Sequence, residues 1–163
     1  MGLYVVMGVT GCGKSSVAAR LAKAEGGDFV DADDFHSVGN KDKMTAGIPL
    51  TDEDRWGWID ALNVELKRRA ENGRDTFLAC SSLRQCYRER LARELPSLRF
   101  IYLKGSRETI RRRLAGRSDH FMPTALLESQ FATLEDPPNA LTVSVEQPLD
   151  QVVEEILRRL DER

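Results

Sequence analysis

The residues best spaced for chemistry run from Gly8 to Ser15, Gly-Val-Thr-Gly-Cys-Gly-Lys-Ser, directly after the apolar run Leu3-Tyr4-Val5-Val6-Met7. This is the G-x-x-x-x-G-K-[ST] spacing of a phosphate-cradling loop set between a strand and a helix. Glycines at 8, 11 and 13 let the backbone turn back so that successive N–H groups converge on phosphate oxygens, backed by the positive end of the following helix. The spacing predicts ATP or a similar triphosphate on Gly8, Val9, Thr10, Gly11, Cys12 and Gly13, with Ser16 in the first helical turn. Lys14 would reach the β- and γ-phosphates, and the Ser15 hydroxyl would complete a Mg²⁺ shell. A Cys12 thiol beside those N–H groups is expected to carry a stabilised thiolate.

Such a loop needs a strand behind it and a sheet around that strand. Strand-like runs at Leu3–Met7, Asp28–Asp31, Thr76–Cys80, Leu98–Leu103 and Leu141–Val145 alternate with helical patterns, the signature of an α/β domain with a parallel sheet. Helices are predicted at Lys14 to about Ala24, Asp52 to about Glu71, Leu83–Leu95, Arg107–Leu114 and Leu149–Leu160. Thr51 with Asp54 three residues on forms a capping box, and Ile59, Leu62 and Leu66 give the second helix its buried stripe.

Ligands of an open parallel sheet sit beyond the carboxyl ends of its strands, so the polar residues there carry the functional weight. They are Asp31-Ala32-Asp33-Asp34-Phe35-His36 after the second strand, Ser81-Ser82 after the third, and Arg117-Ser118-Asp119-His120 after the helix that follows the fourth. Arg55 stands in the first turn of a helix, where the dipole disfavours a cation. Either Asp52, Glu53 and Asp54 neutralise it, or its fork grips a substrate carboxylate. Arg88, four residues after Arg84, joins such a clamp or lies on a solvated face. Ser81 either meets substrate hydroxyls or caps the next helix. His36 and His120 are either satisfied structural groups or substrate contacts.

Composition narrows the partners. The chain has 163 residues and a formal charge of −2, enough for one domain with its own core and nothing that recommends nucleic acid or an anionic membrane. No segment has the length or flanks of a signal peptide or membrane span, and Cys12, Cys80 and Cys86 have neither disulfide nor metal-ligand spacing. A reduced, cytoplasmic protein is expected.

The motifs G-V-T-G-C-G-K-S (8–15), D-A-D-D-F-H (31–36), N-K-D-K-M-T-A-G-I-P-L-T-D-E-D-R (40–55), C-S-S-L-R (80–84), H-F-M (120–122) and L-L-E-S-Q-F-A-T-L-E (126–135) together resemble the gluconokinases of the small phosphate-loop type. The resemblance runs almost end to end. It implies a three-layer α/β/α P-loop kinase fold with a five-stranded parallel sheet, one domain over 1–163, a small lid at about 116–124, and a homodimer. It implies ATP, Mg²⁺ and gluconate as ligands, with transfer to gluconate. On the resemblance Asp31 holds Mg²⁺, Asp33 acts on the attacking hydroxyl, and Arg113 and Arg117 grip ATP from the lid. Gln147 and Pro148 lie against adenine, and Gln130 contacts the sugar. The sequence departs from the family pattern at Cys12, Ala32, Ser37, Gly57 and Arg84, the last standing where a Lys is usual; none of these removes an expected catalytic group. Another small-molecule kinase of this fold, or a nucleotide switch that transfers no phosphate, is the competing reading.

Overall fold

The computed structural model describes residues 2–116 and 124–162, with Thr124 and Ala125 described as backbone only. Five strands, β1 (Leu3–Met7), β2 (Asp28–Asp31), β3 (Thr76–Ala79), β4 (Leu98–Lys104) and β5 (Leu141–Ser144), form one sheet in the order β2-β3-β1-β4-β5. Every neighbouring pair is parallel, with Leu3 aligned to Thr76 on one side and to Leu98 on the other. Parallel pairing requires a long crossover after each strand, and helices supply it.

Side chains alternate across the sheet with the strand period of two. Val6 of β1, Phe77 and Ala79 of β3, and Ile101 and Leu103 of β4 face one core, which also receives α1 (Lys14–Glu25), α5 (Arg107–Ala115) and α7 (Leu149–Asp161). Val5 and Met7, Leu78 and Tyr102 face the other core, filled by Trp58, Ile59, Leu62 and Leu66 of α3 (Asp52–Ala70) and by Tyr87 and Leu91 of α4 (Gln85–Leu91). Helices cover both faces, which makes the expected three layers. Among the described residues no helix is long and apolar enough to cross a membrane.

The predicted strands agree with the observed ones to within a residue at each end. Thr51 caps α3 as the spacing requires, accepting from Asp54 N while Asp54 returns the bond to Thr51 N. The helix expected over Leu83–Leu95 is shorter, because Glu94 takes a positive φ of 61° and Leu95 packs from a turn. Three elements were not foreseen: a 3₁₀ turn at Ala32–Phe35, α2 (Val38–Thr45) and α6 (Thr124–Thr133). Only Asn40 of α2 is buried, so no apolar stripe announced it.

In this topology the chain builds β2 and β3 on one side of β1, then crosses to build β4 and β5 on the other. The crevice at that reversal opens at the end of β1, where the Gly8–Ser15 loop begins. Leu62, fully buried between α3 and the sheet, anchors the side of that crevice carrying Arg55. Leu62→Ala should cost about 2–5 kcal/mol in urea unfolding; a loss below about 1 kcal/mol would contradict this packing.

Candidate active site

The loop takes the shape its glycines permit. Gly8, Gly11 and Gly13 have φ of 147°, 80° and 96°, conformations an L side chain rarely adopts. Gly8 is also crowded: a Cβ there would lie 2.9 Å from Leu103 O and 2.7 Å from Cys12 Sγ. The loop closes on itself through Cys12 N donating to Val9 O at 3.2 Å and on its neighbour through Gly8 N donating to Ser81 O at 3.3 Å. Lys14 Nζ donates to Val9 O at 3.2 Å. Ser15 and Ser16 are exposed at the start of α1.

Cys12 corrects the expectation of a stabilised thiolate. Its side chain is buried beneath the loop, and desolvation raises the thiol pKa despite the opposing charge of Lys14. Cys12 therefore packs its side chain into the core beneath the loop.

On the β4–β5 side a cavity of about 230 Å³ is lined by Gly11, Gly13, Ser16, Arg113, Val145, Gln147 and Leu149. Arg113 donates to Val145 O, and Gln147 Nε2 donates to Ser144 O at 3.0 Å and Glu155 Oε1 at 3.1 Å. Pro148 stands at the N-cap of α7, where its carbonyl accepts from Gln151 N and Val152 N. Arg117 and His120 lie outside the described residues.

On the β2–β3 side the carboxylates come first. Asp31 ends β2 and its Oδ1 accepts from Asp33 N at 3.0 Å, capping the 3₁₀ turn and leaving Asp33 and Asp34 exposed. Partial burial raises the Asp31 pKa, aided by the Asp33 and Asp34 charges and opposed by the bond from Asp33 N and by Lys14. The Asp31 carboxylate and the Ser15 hydroxyl are oxygen donors of the kind a hard cation takes. No group of three His, Cys, Asp or Glu able to hold a metal occurs among the described residues. Two such donors would leave most of a divalent ion's shell to substrate phosphates and water.

Behind Asp33, His36 is buried and stacks on Trp58 with ring centroids 4.0 Å apart, while Trp58 Nε1 donates to Ala32 O at 2.7 Å. The Asn40 amide directs one hydrogen to Asp54 O at 2.8 Å and the other to His36 Nδ1 at 3.3 Å. Nδ1 therefore accepts, and the ring proton sits on Nε2. Burial and the charges of Arg55 and Lys41 push the His36 pKa down to about 4, so the ring is neutral at physiological pH.

A second cavity, about 430 Å³, is lined by Asp52, Arg55, Arg84, Tyr87, Thr133 and Glu135. Arg55 donates to Tyr87 Oη at 3.0 Å, and the guanidinium carbons of Arg55 and Arg84 lie 5.3 and 5.8 Å from the Tyr87 ring centre. Asp52 joins them, bonded to Tyr87 Oη and to Arg84 Nη1 at 3.0 Å, and 3.7 Å from Arg55. Arg55 and Arg84 thus converge on one cavity, with Tyr87 between them and Asp52 facing both. Sequence reasoning missed Tyr87; its only signal was an aromatic three residues after Arg84.

Arg88 and Gln130 stand elsewhere than expected. Arg88 is 3 % exposed, and its guanidinium donates to Ser82 O, Gln85 Oε1 and Glu135 O. Those bonds hold the turn in which Ser82 adopts a φ of 49°, so Arg88 braces the site from beneath rather than joining the clamp. Ser81 contributes its carbonyl to Gly8 and is half-buried. Gln130 Oε1 accepts from Thr10 N of the phosphate loop at 2.7 Å.

A family model described as an AAA domain matches residues 3–137. The chain is 44% identical over 137 residues to the thermosensitive gluconokinase of Escherichia coli strain K12, covering 82% of this chain and 72% of that one. It is 45% identical over 146 residues to a gluconokinase of Arabidopsis thaliana, covering 82% and 77%. The crystal structure of a gluconokinase from Sinorhizobium meliloti 1021 superimposes with a TM-score of 0.89 at 42% identity, covering 99% of this chain and 92% of that one.

Burial sorts the cysteines. At pH 8 iodoacetamide should label exposed Cys86 and leave Cys12 and Cys80, whose thiols burial raises, the latter to about 11. Peptide mass spectrometry reads the result; rapid labelling of Cys12 that ATP blocks would contradict the buried orientation.

Proposed function

As the chain belongs to the gluconokinase family, we infer that it transfers the γ-phosphoryl group of ATP to the 6-hydroxyl of D-gluconate, giving 6-phospho-D-gluconate and ADP. The family implies ATP with a divalent metal, which we assign as Mg²⁺. One observation carries the acceptor assignment: two guanidinium groups, Arg55 and Arg84, face one cavity on the acceptor side of the phosphate loop. An Arg fork matches a carboxylate in bidentate geometry, and gluconate carries a carboxylate at the end opposite its reacting hydroxyl.

Phosphoryl transfer proceeds through a loose transition state, so the protein's work is to position reactants and neutralise charge. The backbone N–H groups of the loop and Lys14 would cradle the β- and γ-phosphates, with Ser15 and Asp31 holding Mg²⁺. When bound, that ion supplies neutralisation of charge on the phosphate oxygens. Asp33, exposed beyond β2, would orient the attacking hydroxyl and accept its proton. His36 presents a neutral ring whose Nε2–H would donate to a sugar hydroxyl, and Ser81 would meet another. The apolar wall of Val145 and Leu149 beside Gln147 and Pro148 would receive adenine, with Arg113 over the phosphates. By the family resemblance we assign Arg117 to the ATP phosphates and His120 to the sugar, in a small lid at about 116–124. We further propose one domain over 1–163 acting as a cytoplasmic homodimer, the reading the family resemblance and the three free cysteines support.

Two variants test the division of labour. Arg55→Ala should raise the gluconate KM at least about tenfold and leave the ATP KM within about twofold, because a charge-assisted pair is lost on one side only. Asp33→Asn should lower kcat by about two to four orders with ATP binding retained. Equal weakening of both ligands by Arg55→Ala, or near-normal turnover by Asp33→Asn, would overturn these roles.

A further inference from the structure

We propose that Gln130 is a positioning residue for the phosphate loop, acting through the single peptide plane between Val9 and Thr10 to set both the crest of the loop and Lys14. The bond from Thr10 N to Gln130 Oε1, 2.7 Å long, joins residues 120 apart in sequence. A trans peptide is planar, so its N–H and C=O point in opposite directions and turn together. Fixing the Thr10 N–H therefore fixes the Val9 carbonyl on the other side of the plane. That carbonyl accepts both Cys12 N and Lys14 Nζ, each at 3.2 Å. Rotation of this one plane would break all three bonds.

The tether comes from a helix that is itself held in place. Leu127 of α6 is 2 % exposed in the core, and Glu128 pairs with Arg107 and with Arg111 of α5, the latter at 2.7 Å. At the other end Glu135 N donates to Leu83 O at 2.8 Å, and Arg88 donates to Glu135 O at 2.9 Å. Gln130 falls on the inward side of α6, with Leu127 three residues before it and Phe131 and Leu134 following, all three packed in or against the core. A polar residue there is explained by the partner it reaches.

The side-chain type is also explained. The site needs an acceptor to satisfy a part-buried N–H, yet it adjoins a loop built for polyanions. An amide oxygen accepts without charge, whereas a carboxylate would repel a triphosphate.

The inference rests on the assignment of the Gly8–Ser15 loop to ATP. Gln130→Met keeps length and apolar packing but removes the acceptor; Gln130→Glu keeps the acceptor and adds a charge. ATP affinity by calorimetry and KM values for both substrates, measured on the full chain, separate the possibilities. Gln130→Met should weaken ATP about tenfold at any ionic strength, with the gluconate KM within about twofold and the melting temperature little changed, since a part-buried donor is left unpaired. Gln130→Glu should weaken ATP at low salt and recover as salt rises, because added salt screens the new repulsion. Unchanged ATP affinity in Gln130→Met, or a rise confined to the gluconate KM, would overturn the role. Failure of the wild-type chain to bind ATP would instead refute the loop assignment. If Gln130→Met does not fold, the salt dependence of Gln130→Glu still decides, and its absence counts against the proposal.

Discussion

Everything in this active site is placed relative to the close approach of Gly8 to the end of β4. With Leu103 O and Cys12 Sγ both inside the space a Cβ would need, the chain leaving β1 can only turn sharply upward, in a conformation that glycine tolerates. That turn puts Val9 and Thr10 at the crest, buries Cys12 beneath it, and starts α1 at Lys14 with its N–H groups facing the crevice. Ser81 at the end of β3 and Gln130 from α6 then bond to the loop from the outside. The loop is thus held at the topological reversal of the sheet by neighbours on both sides of β1, before any ligand contributes.

The acceptor side is assembled differently, as one interlocked arm between β2 and α3. Asp31 caps the turn that carries Asp33, Trp58 ties that turn to α3 through Ala32 O, and His36 lies flat on the same indole. Lys43 reaches Asp54 at 2.8 Å and Asn40 bonds to the Asp54 carbonyl, so the weakly amphipathic α2 is held by polar contacts to the first turn of α3. Lys43 and the Thr51 cap hold the Asp54 carboxyl down to about 2. The result is that Asp33, His36 and Arg55 share one support, while the nucleotide side rests on α1, α5 and α7. Phosphoryl transfer requires those two supports to meet at the phosphate loop, which the strand order provides.

Much of this was legible in the sequence because the signals were local. Short runs rich in β-branched, aromatic and apolar residues marked the strands, loop spacing marked the phosphate site, and Thr51 with Asp54 marked the start of α3. What the sequence concealed depends on contacts between distant residues. Arg88 reads like Arg84 or Arg90 until three acceptors from its own helix and two flanking turns enclose it. Cys12 reads as a thiol beside backbone donors, but the tight glycine turn of the loop sends its side chain to the core. Gln130 reads as one more polar residue in a family motif; only the packing of α6 brings it to Thr10. Tyr87, an aromatic three residues after Arg84, stands between two arginines and an aspartate only once α3 and α4 pack together.

One edge of the sheet brings a triphosphate and a carboxylate-bearing polyol together for phosphoryl transfer. ADP release in the presence of Mg²⁺, measured with gluconate, glucose, shikimate, AMP or no acceptor, tests it most directly. Gluconate should be preferred over glucose by at least about a hundredfold in kcat/KM, since charged partners that pair a carboxylate contribute nothing to an analogue lacking one. Equal use of glucose, preference for AMP or shikimate, or rapid ADP release with no acceptor would contradict it.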